Sequence, residues 1–89
     1  MEIQEVRQIV IDVALHTGML LNVSKDAVQQ FLSGTSDIRL TTLDTESLTL
    51  LEFCIIMEDN HGLSITPKAF VEHQTLGEIV LVLSGNENN

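Results

Sequence analysis

DTESLTLLEFCIIMEDNHG, residues 44–62, is the stretch that decides how this chain folds. From Ser47 to about residue 59 it carries Leu48, Leu50, Leu51, Phe53, Cys54, Ile55, Ile56 and Met57. After the first residue only Thr49, Glu52, Glu58 and Asp59 are polar. That composition predicts a helix apolar around most of its circumference, which must be buried or must lend one side to partners. His61 and Gly62 end it, with the glycine placed for a left-handed cap. The run Phe53 to Met57, like Ile79 to Leu83 further on, is far too short to span a bilayer.

Working outward, residues 3 to about 16 predict a first helix. Ile3, Val6, Ile9, Val10, Val13 and Ala14 recur at three- and four-residue steps, with Gly18 as the stop. Ile11 and Leu15 fall off that stripe. Between residues 19 and 46 the periodicity weakens. Ser24 can cap a short helix bearing Ala27, Val28, Phe31 and Leu32 on one side, and Ser33 to Asp37 read as a turn. Ile38, Leu40 and Leu43 then pin a long connection to the core. Beyond the central helix, Thr66-Pro67 starts another short helix with Phe70 and Val71 inward. Thr75 to Glu78 form a capping box for a last helix whose apolar face is Leu76, Ile79, Val80 and Leu83. Strand propensity alone permits a β reading of residues 79–83, and the capping box argues against it. The expectation is an all-α four-helix bundle. It has a long loop between the first and second main helices and an extra short helix in that loop. Residues 1–84 make one domain, with 85–89 as a flexible tail.

The whole sequence, 89 residues with 44% hydrophobic side chains, supports one compact core and no second one. Four basic against thirteen acidic side chains leave a formal charge of −9. Phosphate backbones and anionic membranes both require positive charge, so the balance disfavours nucleic acid and lipid surfaces and favours partner proteins with basic patches. The single cysteine, Cys54, precludes an intrachain disulfide. The opening Met1 to Glu5 lacks a cationic leader start. A cytoplasmic protein is the expectation.

Most catalytic signatures are missing. The five glycines are isolated, and His16, His61 and His73 stand at no metal-ligand spacing, so neither a catalytic residue nor a metal ligand is assigned. Ser47, His61 and Asp59 can be drawn as a triad, as can some such trio in any chain this size. Cys54 inside the apolar run reads as a buried thiol. Ser47 differs. A serine at the loop-to-helix junction sits beside unpaired backbone donors and the positive helix end, where an anion on its hydroxyl is favoured. Taken by itself, however, an ordinary first-turn serine explains it equally well.

The residues downstream of Ser47 tip that balance: Leu48, Leu51, Glu52, Ile55, Glu58-Asp59, Gly62, Ile65 and then Thr75-Leu76-Gly77-Glu78. This series resembles the acyl carrier and peptidyl carrier protein family over residues 43 to 83. In that family an Asp-Ser-Leu motif opens the second helix, acidic residues recur along it, and a Thr-Val-Gly-Asp-like segment opens the last one. The resemblance implies that Ser47 carries 4′-phosphopantetheine as a phosphodiester, placed there from coenzyme A by a separate phosphopantetheinyl transferase. It implies that the arm's thiol holds an acyl or aminoacyl group as a thioester. It also implies that Glu46, Leu48, Leu51, Glu52, Ile55, Glu58 and Asp59 meet partner ligases, synthases or transferases. The chain would then be a monomeric carrier and no enzyme. Three departures stand out: Glu46 replaces the usual aspartate, Asp44 stands where many members have glycine, and His61 replaces a core phenylalanine. The connection before Ser47 is also longer than in fatty-acid carriers. Together these suggest a stand-alone, specialised member. The rival reading is an unmodified helical adaptor that binds partners through the acidic and apolar helix face.

Overall fold

The computed structural model describes residues 1–87 and is all-helical among them. Helix α1 spans Ile3–Thr17, α2 Lys25–Ser33, α3 Ser47–His61, α4 Ala69–Glu72 and α5 Leu76–Glu87, with a single 3-10 turn at Leu40–Thr42. The expected bundle, its long loop and the extra short helix are all present, and residues 79–83 are helical rather than extended. Gly18 and Gly62 close α1 and α3 with φ of 83° and 65°, the left-handed region where a side chain bearing Cβ costs about 1 kcal/mol. The Ser24 hydroxyl caps α2 by accepting from the Ala27 N–H at 3.1 Å.

Helix α1 packs against α2, α3 and α5 at once. Three neighbours need a wider apolar arc than one stripe supplies, which is why Ile11, off the predicted stripe, is buried beside Val6, Val10, Val13 and Ala14. Opposite it, α5 buries Leu76, Ile79, Val80 and Leu83, and α3 buries Leu50, Phe53, Cys54 and Met57. Phe53 and Phe70 meet edge to face, their centroids 5.6 Å apart.

The long connection is held along its length. Ile38, Leu40 and Leu43 are buried as expected. Leu40 N–H donates to Gln74 O at 2.9 Å and Leu76 N–H to Ile38 O at 2.8 Å, so residues 38–40 pair antiparallel with 74–76. The Asp37 carboxylate accepts from the N–H groups of Ile38 and Gly77, at 2.8 and 2.9 Å. Asp44 N–H donates to Met19 O at 2.9 Å, anchoring the approach to α3.

Three expectations need correction. Val71 points outward at 84% exposure while Ala69 and Phe70 are buried. A one-turn helix covers only one narrow arc, and the residue after Phe70 is rotated about 100° from it. The capping box forms by half: Thr75 Oγ1 accepts from Glu78 N–H at 3.2 Å, but the Glu78 carboxylate accepts from Gln74 N–H, at 2.7 Å. Pairing of 74–76 with 38–40 brings that donor, one residue upstream, to the carboxylate. Finally, α5 continues through Glu87, so 85–87 of the expected tail are helical; residues 88–89 lie outside the described residues.

Candidate functional site

Ser47 is the first residue of α3 and is exposed. The helix's first backbone bond runs from Leu50 N–H to Glu46 O at 2.9 Å. Glu46, the cap residue, supplies no side-chain bond to the donors ahead of it. Its own N–H is taken by the Asp44 carboxylate at 3.2 Å, which shapes the entry to the helix. Among the described residues the Ser47 hydroxyl has no hydrogen-bond partner. A free hydroxyl, uncapped backbone donors and a positive helix end form a suitable setting for a phosphodiester on that oxygen. The residues present therefore fit phosphopantetheine.

The apolar candidates share one face. Leu48, Leu51 and Ile55 are 74%, 48% and 51% exposed, against the buried Leu50, Phe53, Cys54 and Met57 behind them. With Glu52 and Ile56 they line a shallow surface depression. Large aliphatic side chains in one exposed row cost solvation with no return inside the domain, so packing alone does not account for them. Glu46, Glu52, Glu58 and Asp59 are all exposed. Ser47 and Asp59 stand about 18 Å apart along the helix axis, so the acidic positions run the length of the row rather than gathering at the serine.

Of two further residues singled out in the sequence, Cys54 lies where expected and His61 does not. His61 is exposed at the end of α3 and does not occupy a core position. Cys54 is buried, and burial pushes its thiol pKa up. Among the described residues no cluster of three or more His, Cys, Asp or Glu side chains is arranged to hold a metal ion. No helix there is long and apolar enough to cross a membrane.

Sequence reasoning missed Asp37 and the structural role of Asp44. Both carboxylates accept backbone N–H groups, Asp37 from a partner 40 positions along the chain, and residue spacing carries no sign of that pairing. Leu21, 79% exposed after α1, gives no signal either; it follows Met19 and Leu20 in an aperiodic stretch, and only the fold separates it from those buried neighbours.

A family model described as a phosphopantetheine attachment site matches residues 22–83, well over half of the chain. Comparison with curated proteins and with solved structures gives no match.

Proposed function

The chain belongs to the phosphopantetheine-attachment family of acyl and peptidyl carrier proteins, and from that premise we propose that Ser47 bears the group and presents short acyl or aminoacyl cargo to partner enzymes. The family binds 4′-phosphopantetheine covalently and works with a phosphopantetheinyl transferase and biosynthetic enzymes; it is a family of carriers rather than catalysts. The group, when bound, supplies a terminal thiol on a flexible tether. Tethering raises the cargo's effective concentration at each partner's active site.

One observation carries the assignment to Ser47: an exposed hydroxyl without a partner at the uncapped start of α3, directly before the exposed Leu48, Leu51 and Ile55. The apolar row supplies the contact area for a partner. The exposed Glu46, Glu52, Glu58 and Asp59 steer partners bearing Lys or Arg, favouring fast and transient docking.

Co-expression with a broad-specificity phosphopantetheinyl transferase is expected to add about 340 Da, one phosphopantetheine, to the intact mass. Ser47→Ala is expected to abolish the gain with helical content unchanged. Labelling that survives in the alanine variant, or no gain in the wild type, overturns the assignment; the latter favours the unmodified adaptor. Replacing Glu52 and Glu58 together by lysine is expected to slow loading severalfold, and raised salt to slow the wild type similarly. Stability should change by no more than about 0.5 kcal/mol, because exposed charges contribute little. An unchanged rate assigns recognition to the apolar row instead.

A further inference from the structure

Beside the approach to α3 lies a pocket with a composition unlike the rest of the chain. Its walls carry Arg39, Thr45, His73 and Gln74 over a floor of Leu40 and Phe70, and none of its lining residues is acidic. In a protein with thirteen acidic side chains and four basic ones, a pocket holding an arginine and a histidine but no carboxylate in its lining is an electrostatic exception. The side chains of Arg39, Thr45 and Gln74 have no partner among the described residues, so their donors are free for a ligand. His73 faces Glu78 from 3.7 Å, and that carboxylate is itself engaged by Gln74 N–H.

The pocket is built by backbone, which holds its opposite walls together. Pairing of 38–40 with 74–76 sets Arg39 opposite Thr75 and Leu40 opposite Gln74, so the segments carrying Arg39 and His73–Gln74 run side by side along one pocket. Thr45 on its rim is two residues from Ser47, at most about 7 Å along the chain. A tether on Ser47 longer than that gap is long enough to reach the pocket rim.

We infer that this pocket receives the cargo's distal end, and that the cargo is a short acyl group ending in a carboxylate. Guanidinium and amide donors recognise a carboxylate through charge-assisted hydrogen bonds, while Leu40 and Phe70 cover the few methylenes before it. A cationic aminoacyl group meets Arg39 as a like charge, and an apolar chain end offers the exposed donors no acceptor, so they stay with water and the cargo gains nothing from them. The inference rests on Ser47 being the attachment site.

The test loads the apo-protein from glutaryl-, pentanoyl- and β-alanyl-coenzyme A with a broad-specificity transferase, and intact mass verifies each product. Failure of all three to load overturns the Ser47 assignment and this inference with it, before any further measurement. With loading verified, the glutaryl form is expected to melt about 3 °C above the pentanoyl form of the same chain length. Its amide NMR shifts relative to the unacylated holo-protein should concentrate at residues 39–41 and 70–74. Arg39→Gln should erase the difference, and Arg39→Lys should keep part of it, because the charge remains while the fork geometry is lost. Arg39 is exposed and the pairing bonds are made by the backbones of its neighbours Ile38 and Leu40, so both variants keep the pocket walls. Equal melting of glutaryl and pentanoyl forms, a larger rise with β-alanyl, shifts confined to Leu48, Leu51 and Ile55, or a difference that survives Arg39→Gln would each overturn the inference.

Discussion

Cys54 sits behind the exposed row of α3, on the buried side of the helix, and its environment makes two testable statements about one side chain. Burial disfavours the thiolate, so the thiol's pKa in the folded chain lies above its ordinary value of 9.0. Linkage sets the sign. Well below pH 9.0 both the folded and unfolded thiols are protonated and stability is unaffected. As pH rises past that value the unfolded thiol ionises first, and stability is lost until the folded pKa is passed. The wild type is therefore expected to lose melting temperature more steeply than Cys54→Ala between about pH 8 and 10. Parallel slopes for the two proteins would show that the thiol is not desolvated. The same burial makes Cys54 a poor nucleophile, so an alkylating reagent should label it only after denaturant unfolds the chain. The contrast with Ser47 on the same helix is one of exposure: an open hydroxyl at the end, a closed thiol one face away.

At the scale of elements, the start of α5 is held by a residue of the long connection, and Gly77 is where that dependence can be measured. A Cβ on Gly77 would stand 2.6 Å from Asp37 Oδ2, and the Asp37 carboxylate cannot retreat without giving up its bond to the Gly77 N–H. Two effects oppose each other in Gly77→Ala. Alanine favours a helix over glycine by about 0.5–1 kcal/mol. Losing a carboxylate-to-backbone bond costs about 1.5–3 kcal/mol. The loss wins, and urea denaturation is expected to show the variant less stable by about 1 kcal/mol, whereas a gain in stability would show that the cap contributes little. This contact also marks where sequence reading stops. Helices α1, α2, α3 and α5 were legible because their apolar spacing and glycine or serine boundaries are local signals, and Ser47 with its neighbouring row was legible from motif spacing. The pairing of 38–40 with 74–76, the Asp37 cap and the displaced half of the capping box were not, because each joins residues that only the folded chain brings together. Val71 failed for a related reason: α4 is a single turn, too short for periodicity to distinguish inside from outside.

For the molecule as a whole, the question is how much room its interior leaves for cargo. The Cα radius of gyration is 11.7 Å, against about 12 Å for a compact chain of this length, so the packing has no slack at the level of overall size. Locally, Phe53 and Met57 are fully buried on α3, and Phe70 of α4 closes edge to face on Phe53. A long acyl chain entering between those helices would have to displace an aromatic pair worth about 0.5–1.5 kcal/mol beyond its buried area. It would also have to open space at interior packing density. His61 has no part in this, since it faces solvent; the aromatic pair and Met57 fill the space between α3 and α4. The opposing effect is the transfer of methylenes from water, about 0.8 kcal/mol for each one buried. If the helices yielded, every added pair of methylenes would raise stability by a visible step. If they hold, each added pair stays in solvent and contributes nothing. A series of saturated acyl groups from four to twelve carbons on the loaded protein should therefore give a flat line of melting temperature against chain length. A steady climb would show that Phe70 and Met57 swing aside, and would make this a long-chain carrier.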